Sequence, residues 1–488
     1  MKGIRGKNRN GSDERSHAIL QLAWFFGLLF LGLCLYFVWF VAVKAPAVIG
    51  SSYNPRVDLL SQRVVRGDIR ATDGTVLAET VLSEDGTESR VYPYGGVFAP
   101  VTGYMQKGKT GVESLANFEL LSSHINTLQQ IGNDITGVKS PGDNVFLTVD
   151  PGLTAKAYEA LSERRGAVIA MDPETGRLLC MVSKPDFDPN TIAADWEALN
   201  DPENDGGQLL NRAAQGAYPP GSIFKLVTLL AYVKEHPEDY ATAFSFSCTG
   251  TYIDAEGNEI RCYGGEAHGE QDLFSAFANS CNGAFAKIGA ELSEGRLSSA
   301  AEALLFNRKL PFSLPYRVSS FSLQETDGLF VREQTAIGQG RTMMSPLHSL
   351  LITAAIANGG ELMRPQILDH IENAAGETLK AWKPQSYERL LSDADAALLS
   401  ELMRRVVTEG TGSAFRDAPY EAHAKTGSAE YESEEGRKTH AWCTAFASYG
   451  DRSIAVTVLV EDGKSGGSTA APVARAVLDQ WLLPSFSK

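Results

Sequence analysis

The sequence predicts an α/β (α+β) protein with one N-terminal transmembrane helix, a small β-rich module and a large domain. Three observations support this prediction: an apolar run near the N-terminus, short β-type runs after it, and strand patterns at both ends of the remaining chain with helical patterns between them. Strands at both ends of a domain imply a single sheet assembled from both ends, with a helical lobe inserted.

The first element is the apolar run from Leu22 to Val43, which contains no charged residue. A helix needs about 20 such residues to cross a bilayer, so we expect it to span the cytoplasmic membrane. The positive-inside rule then predicts that residues 1–21 are cytoplasmic and that the body is extracytoplasmic. The basic residues before the run are Lys2, Arg5, Lys7, Arg9 and Arg15. A cleaved signal peptide is the alternative, but its apolar core has only roughly 7 to 15 residues.

Residues 44–150 predict a small, mostly extended module. The runs "RVVRGDI", "TVLAETVL" and "ESRVYPY" have strand character, and Asp73-Gly74 and Asp85-Gly86 mark turns between them. We expect this module to carry no catalytic site, because it contains no obvious pair of carboxylates of the kind a glycan-polymerising domain needs. It is the place where a dimerisation or pedestal role is expected.

Residues 151–488 predict the large domain. "LTAKAYEALSERR" has helical periodicity, and "GAVIAMD" and "RLLCMVS" predict two strands joined by a turn at Gly176. Mainly helical patterns follow between about 190 and 425, namely "FKLVTLLAYVKEH", "LFSAFANSCNGAFAKIGAEL", "PLHSLLITAAIANGG" and "DADAALLSELMRRVVTEG". "HAWCTAFASY" and "SIAVTVLVED" are the returning strands, and "APVARAVLDQWLL" is a final helix.

Charge excludes one class of partner. The 488 residues include 59 acidic and 44 basic side chains, for a formal net charge of -15. Such a chain repels polyphosphate, so we expect no nucleic-acid partner.

A candidate nucleophile lies in "YPPGSIFKLVT". The Pro-Pro-Gly turn precedes a helical run, so Ser222 is expected near a helix N-terminus, with Lys225 one turn later on the same face. A lysine can accept the serine proton only if its pKa is lowered, for example by burial or a neighbouring cation. The pattern alone is weak, because Ser485 to Lys488 ("SFSK") has the same spacing and an ordinary helix N-cap is the simpler explanation of Ser222.

A second candidate element is "NSCNGAF", where Ser280 and Asn282 fall in a predicted helical region. A Ser-x-Asn pair beside a Ser/Lys nucleophile can relay a proton and orient a substrate amide. "SYN" at Ser52 to Asn54 has the same spacing just outside the span, where no partner motif lies near it.

The triplet Lys-Thr-Gly occurs twice, at Lys109 to Gly111 and at Lys425 to Gly427. The first copy precedes the nucleophile and belongs to the small module. The second follows both other elements within the large domain, and "SAEY" and a strand pair come after it, as expected of an edge strand that lines a cleft. The second copy is therefore the candidate.

The six cysteines leave two possibilities open. Cys248 and Cys262 flank a short loop and could form a disulfide, whereas Cys180, Cys281 and Cys443 are expected to pack as small apolar side chains. Cys248, Cys262 and His268 resemble part of a zinc site, but no second close ligand pair follows, so we expect no metal and no cofactor.

The three motifs, in this order and with these flanking residues, resemble those of class B penicillin-binding proteins. The resemblance extends over nearly the whole chain. "NPR", "RGDI", "YPYGGVFAPVTGY" and "GGSTAAPVARAV" are similar to the compact penicillin-binding protein A subgroup. The resemblance implies a penicillin-binding/serine β-lactamase-like transpeptidase fold and a serine-type D-Ala-D-Ala transpeptidase, inhibited covalently by β-lactams, that cross-links peptidoglycan stem peptides. This sequence departs from the common pattern of the family at "RATDGTVLA", at Ile223 and at Ser428. None of these changes removes a catalytic group.

The resemblance also implies residue roles. Ser222 is the expected nucleophile and Lys225 its general base; Ser280 is expected to return the proton to D-alanine with the two lysines. Asn282 is expected to hold the substrate backbone. The terminal carboxylate is expected at Lys425, Thr426 and Ser428, next to Gly427, and the oxyanion at the backbone N–H groups of Ser222 and Ser428.

Other functions remain open at this stage. A D,D-carboxypeptidase or β-lactamase would use the same motifs with water as the acceptor, and a β-lactam sensor or scaffold would use them without turnover. The resemblance suggests that the small module docks a polytopic membrane glycan polymerase; a pedestal is the alternative.

Overall fold

The computed structural model describes residues 10–44, 59–324, 326–433 and 436–483. The "NPR" and "SYN" motifs at 52–56 and the "SFSK" motif at 485–488 lie outside these ranges, as do Lys2, Arg5, Lys7 and Arg9.

One long helix, α1 (Asn10–Trp39), precedes the folded body and continues as a π-helical turn, Phe40–Lys44. Its segment Ile19–Trp39 has a mean hydropathy of 2.1 over 21 residues and is long and apolar enough to cross a membrane. This segment overlaps the predicted span of residues 22–43. Which side each end faces stays a prediction.

The small module contains the predicted strands and also short helices. Its strands are β1 (Val64–Val65), β2 (Ile69–Arg70), β3 (Val76–Leu82), β4 (Glu88–Val91), β5 (Ser140–Pro141) and β6 (Asn144–Leu147). Its helices are α2 (Ala99–Thr102), α3 (Gly111–Leu115), α4 (Asn117–Leu120) and α5 (Thr127–Thr136).

A buried charge cluster holds this module together. Arg66 Nε donates to Glu113 Oε2 (2.6 Å) and Arg90 Nε donates to Glu113 Oε1 (2.7 Å). Burial alone would raise the pKa of Glu113, but the two guanidinium groups lower it below its usual value, so the carboxylate stays ionised. Glu113 lies two residues after the first Lys-Thr-Gly copy, which leads into α3 and therefore serves this scaffold.

The sheet of the module extends beyond the predicted boundary at residue 150. Its strand order is β15-β14-β6-β2-β3-β4, in which β14 (Leu368–Glu372) and β15 (Thr378–Ala381) come from far along the chain. β14 pairs antiparallel with β6 through Ile371 and Val145, among others. The division at residue 150 therefore separates the sequence but not the sheet, and it stays a prediction.

The large sheet confirms the predicted assembly from both ends of the large domain. Its antiparallel order is β17-β18-β19-β7-β8. The early strands are β7 (Gly166–Met171) and β8 (Leu178–Lys184), whose hairpin turns at Gly176 with φ +78°. The late strands are β17 (Glu421–Ser433), β18 (Gly436–Tyr449) and β19 (Arg452–Val460).

Helices cover both faces of this sheet, so β7 and β8 are buried on both sides. One face packs against α14 (Pro346–Ala357), and the other against α6 (Pro151–Leu161) and α16 (Ala471–Leu482). Successive residues of β7 alternate between the two cores: Ile169 lies in the first and Val168 in the second.

The predicted helical lobe lies between β8 and β17, but it also contains short strands. Its helices are α7 (Ile192–Leu199), α8 (Lys225–Glu235), α9 (Tyr240–Ala243), α10 (Leu273–Ala278), α11 (Asn282–Glu291), α12 (Arg296–Ala303), α13 (Leu329–Ala336), α14 and α15 (Asp393–Thr408). Its other strands are β9 (Phe246–Cys248), β10 (Thr251–Ile253), β11 (Glu259–Arg261), β12 (Gly269–Gln271), β13 (Glu361–Met363) and β16 (Ser386–Arg389).

Candidate active site

The predicted nucleophile lies on a tight turn that leads into a helix. Gly221–Phe224 form a 3-10 turn, and α8 begins at Lys225. Gly221 has φ +50°, which favours glycine, and its N–H donates to the Gly338 carbonyl oxygen (2.9 Å). Trp442 Nε1 donates to the Pro219 oxygen (3.0 Å), a contact that the sequence did not suggest. These contacts hold Ser222 at the surface of an open groove.

A buried ion pair supports the segment that enters this turn. Glu461, at the end of β19, accepts hydrogen bonds from Arg212 Nε (2.8 Å) and from the Tyr218 hydroxyl (2.7 Å). Burial would raise the pKa of Glu461, but Arg212 and Tyr218 hold it below its usual value. Through Glu461, the large sheet positions the chain segment just before the Pro-Pro-Gly turn.

Lys225 is buried directly beneath the groove. Its Nζ donates to the Ser280 carbonyl oxygen (2.6 Å), to Asn282 Oδ1 (2.7 Å) and, at 3.3 Å, to Ser280 Oγ. Burial lowers the pKa of Lys225 to about 8. An appreciable fraction of this amine is therefore neutral near physiological pH, as proton acceptance requires.

Lys425 approaches the same hydroxyl from the opposite side. Its buried Nζ donates to Ser280 Oγ (2.9 Å) and to the Thr426 carbonyl oxygen (2.9 Å). Burial, and then the charge of Lys225, lower the pKa of Lys425 well below its usual value. Mutual repulsion between the two lysines was expected from the sequence, but it acts on Lys425 only, and burial is what lowers the pKa of Lys225.

Ser280 lies where the predicted helical run breaks. The sequence favoured helical structure through "LFSAFANSCNGAFAKIGAEL", whereas the structure ends α10 at Ala278 and begins α11 at Asn282. Ser280 takes φ +55°, a left-handed conformation that is uncommon for a residue with a Cβ. The break directs Ser280 Oγ between the two lysines. Asn282 Nδ2 donates to the carbonyl oxygen of Arg261 (2.8 Å), and this bond holds the end of β11 beside the groove.

The second Lys-Thr-Gly copy lies on β17, which forms the edge of the large sheet, as predicted. Gly427 allows this strand to approach the nucleophile turn, because a Cβ there would lie 3.1 Å from Ile223 Cγ1 and 3.2 Å from Trp442 Cβ. Thr426 Oγ1 contacts Thr411 Oγ1 (2.6 Å), and Ser428 Oγ accepts a hydrogen bond from the Gly466 N–H (3.2 Å). Thr411 lies in a short turn without a local motif, so the sequence did not suggest it. Gly466 begins the quoted segment "GGSTAAPVARAV" and, in the structure, a short π-helix, but no role was predicted for it.

The groove brings together all the predicted site residues. It has a volume of about 1060 Å³ and is lined by Ser222, Ser280, Asn282, Thr426, Gly427 and Ser428. The lysines Lys225 and Lys425 lie buried below it. A partly exposed hydroxyl in a groove above a buried amine–hydroxyl–amine relay is an arrangement suited to proton movement during acyl transfer.

Comparison with known proteins agrees with this geometry. The family described as "Penicillin binding protein transpeptidase domain" matches residues 166–479, and the "Penicillin binding protein A dimerisation domain" matches residues 66–145. The peptidoglycan D,D-transpeptidase PbpA of Mycolicibacterium smegmatis is 33% identical over 462 residues, which cover 87% of this chain and 91% of that protein. PbpA of Mycobacterium tuberculosis is 32% identical over 465 residues, covering 88% and 92%.

Solved structures show the same fold. The ceftriaxone acyl-enzyme complex of penicillin-binding protein A from M. tuberculosis superposes with a TM-score of 0.77 at 30% identity, covering 87% of this chain and all of that one. A D,D-transpeptidase domain from Eggerthella lenta superposes with a TM-score of 0.75 at 29% identity, covering 86% and 99%. Sequence, fold and site geometry agree, and the chain belongs to the penicillin-binding protein transpeptidase family.

Proposed function

We propose that this chain is a membrane-anchored peptidoglycan D,D-transpeptidase that forms its acyl-enzyme on Ser222. The observation that carries the proposal is the convergence of two buried lysines on the Ser280 hydroxyl, beneath the groove that Ser222 lines. Two amines with lowered pKa values and a shared hydroxyl form a proton relay, and a serine nucleophile needs such a relay to attack an amide.

In the first half-reaction, Ser222 Oγ attacks the carbonyl carbon of the penultimate D-alanine in a stem peptide ending in D-Ala-D-Ala. The hydroxyl proton passes to neutral Lys225. The backbone N–H groups of Ser222 and Ser428 receive the oxyanion. When the C–N bond breaks, the departing D-alanine nitrogen takes a proton through Ser280, and Lys225 and Lys425 replenish it.

The edge strand β17 carries the groups that we expect to bind the terminal carboxylate of the substrate. Thr426 and Ser428 line the groove and offer hydroxyl groups to the terminal carboxylate of the substrate. Lys425 lies buried below them, and the bound carboxylate would favour its protonated form, so that it adds positive charge in the complex. Asn282 orients the peptide backbone from the opposite wall. Because Lys425 Nζ already donates to Ser280 Oγ and to the Thr426 oxygen, its contribution to carboxylate binding is electrostatic rather than a direct contact.

In the second half-reaction, an amine from a neighbouring stem peptide attacks the acyl-serine and releases Ser222 with formation of the cross-link. A β-lactam imitates the D-Ala-D-Ala unit, and its opened ring stays attached to Ser222. A carboxypeptidase or β-lactamase would transfer the acyl group to water instead, and a sensor or scaffold would retain it without a second step.

The deciding experiment follows intact mass after the full chain, in detergent, is mixed with benzylpenicillin. We expect one persistent adduct on the wild type and none on Ser222→Ala. An adduct that disappears rapidly with consumption of drug would identify a hydrolase. If the wild type gained no adduct while remaining folded, the acyl-serine proposal would be wrong.

We propose further that residues 1–21 are cytoplasmic and that the catalytic groove faces the extracytoplasmic side. The five basic residues before the apolar run support this orientation. Attachment of a membrane-impermeant amine reagent to the body of the protein in intact cells is the expected result, and labelling only after cell lysis would contradict it.

A polytopic glycan polymerase is the partner that we propose for the small module. Its helix α5 presents an apolar stripe in which Leu128 is 79% exposed, Ile131 50% and Ile135 80%. Exposed apolar residues at helical spacing are typical of an interaction surface. Leu128→Asp with Ile135→Asp is expected to abolish copurification of the polymerase without changing acylation; unchanged copurification would favour a simple pedestal.

A further inference from the structure

Four potential metal ligands meet next to the loop that carries Ser280 and Asn282. They are Cys248, Cys262, His268 and Cys281, whose ligand atoms all lie within 4.8 Å of one another. We propose that these four residues bind one zinc ion and that the ion holds the Ser280 loop in position. Zinc binding itself does not depend on the proposed function, whereas its effect on acylation does.

The separations between the ligand atoms fit tetrahedral zinc. Cys248 Sγ lies 3.7 Å from Cys262 Sγ, and Cys262 Sγ lies 3.8 Å from Cys281 Sγ. With Zn–S bonds of about 2.3 Å, tetrahedral geometry separates two sulfur ligands by about 3.8 Å. His268 Nδ1 lies 3.3 Å from Cys248 Sγ, so the imidazole completes a Cys₃His set.

A disulfide accounts for this cluster less well than zinc does. Three thiols cannot all pair, so a bond between any two would leave the third beside it, and a disulfide gives no role to the imidazole. The three cysteines are buried, while His268 is partly exposed at the rim. Thiolate and imidazole ligands favour zinc over calcium or magnesium, which prefer oxygen.

The sequence alone disfavoured zinc for a reason that the fold removes. No second close ligand pair follows Cys248 and Cys262, and Cys281 was expected to pack as an apolar side chain. The chain breaks before α11, however, and Cys281 becomes the residue that caps this helix, with its Sγ accepting from the Ala284 N–H (3.5 Å). The thiol therefore leaves the helix interior and faces the loop that carries Cys262.

The four ligands come from four short segments beside the Ser280 loop. Cys248 ends β9, His268 precedes β12, and Cys262 precedes a 3-10 turn at Tyr263–Gly265. Cys281 is the residue between Ser280 and Asn282. Asn282 Nδ2 also donates to the carbonyl oxygen of Arg261, the neighbour of Cys262. A metal bond at Cys281 would thus fix the backbone on both sides of it.

We expect the zinc ion to position the Ser280 loop and to take no part in the reaction itself. Ser280 has a left-handed backbone conformation, which is unfavourable for a residue with a Cβ. It persists only where surrounding contacts stabilise it. Zinc on the adjacent residue would supply that restraint and keep Ser280 Oγ between Lys225 and Lys425. The ion touches neither substrate nor the reacting atoms, so the four ligands are positioning residues.

The test uses the full chain in detergent, reduced and then supplied with zinc. After gel filtration, elemental analysis is expected to find one zinc per chain in the wild type and in Cys180→Ala, a buried cysteine outside the cluster. Cys262→Ser and His268→Ala are expected to lose it, and His268→Cys is expected to retain it. In the wild type, cobalt(II) is expected to produce the intense visible bands and sulfur-to-metal charge transfer of a tetrahedral thiolate site.

Absence of zinc and of the cobalt spectrum in the folded, reduced wild type would overturn the proposal, whatever the variants do. A wild type that recovers a disulfide and excludes zinc would do the same. Removal of zinc with a chelator is expected to slow acylation by benzylpenicillin by about 10- to 100-fold, reversed by zinc. Stoichiometric zinc without any acylation would instead refute the proposed function and leave the metal site standing.

Discussion

The Ser280 hydroxyl is the point at which the two buried lysines meet. Lys225 and Lys425 reach it from different elements, α8 and β17, and each has its pKa lowered chiefly by burial. A charged amine in such a place loses its hydration without a carboxylate to replace it, so the neutral form is favoured. Proton transfer at this site therefore depends on pH in a definite direction.

Acylation is expected to accelerate as the pH rises. With a pKa of about 8, Lys225 is mostly charged at pH 6 and mostly neutral at pH 9. The second-order rate constant for acylation by a chromogenic cephalosporin should rise about tenfold per pH unit below the pKa and level off above it. Lys225→Arg should lower it by at least about 100-fold, since a guanidinium does not deprotonate. A flat profile between pH 6 and 9, with thermal unfolding unchanged, would contradict the base role.

The two Lys-Thr-Gly copies offer a matched pair of variants. Lys425→Ala removes a buried amine from Ser280 and is expected to reduce acylation by about 10²- to 10⁴-fold. Lys109→Ala changes the same triplet in the small module and is expected to leave the acylation rate as in the wild type. Both rates are measured with benzylpenicillin by intact mass. Equal losses in the two variants would mean that Lys425 acts only through folding.

At the scale of elements, the site depends on how closely β17 approaches the nucleophile turn. Gly427 has no side chain, and Gly221 leaves the turn in a positive-φ conformation against Ala429. The edge strand can therefore run alongside Ser222 with its hydroxyl-bearing residues in the groove. The same proximity makes this contact sensitive to a single added methyl group.

Gly427→Ala is expected to separate strand and turn. The new Cβ would lie 3.1 Å from Ile223 Cγ1 and 3.3 Å from Ile223 N, so the turn must give by a few tenths of an ångström. We expect a loss of about 1–3 kcal/mol in the free energy of unfolding, the usual cost of overpacking, together with slower acylation. Gly328→Ala is the control, since its Cβ meets nothing within 4 Å. Wild-type stability and rate in Gly427→Ala would show that the approach is less tight than described.

At the scale of the whole molecule, the small module and the large domain share structure. β6 pairs with β14, and Val145 and Leu147 belong to the same buried core as Leu178 and Leu362. The predicted boundary at residue 150 thus runs through a continuous core. A cut at that position would expose an unpaired strand edge and apolar surface.

Removal of the small module is therefore expected to destabilise the rest. A chain that begins at residue 151 should aggregate or unfold at a lower temperature than one that begins at residue 59, which lacks only residues 1–58, α1 among them. Differential scanning fluorimetry of the two, with and without benzylpenicillin, makes the comparison. Equal unfolding temperatures would show that the shared sheet contributes little to stability.

The sequence by itself determined the features that depend on local pattern. The apolar run, the hairpin at Gly176, helices α8, α14 and α15, and the order of the three motifs all follow from periodicity or spacing within one segment. These could be predicted because hydrophobic period, turn residues and capping act between near neighbours. The roles assigned to Ser222, Lys225 and their partners remain proposals that the geometry supports.

Tertiary structure decided the features that depend on distant residues. Lys425 and Ser280 are 145 positions apart, and only the fold brings the hydroxyl to that lysine. The break at Ser280 overrides a helical pattern, β14 completes the sheet of another module, and Cys281 joins the cluster of Cys248, Cys262 and His268. Helix propensity is worth a few tenths of a kcal/mol per residue, so packing and long-range hydrogen bonds override it and local patterns cannot reveal the result.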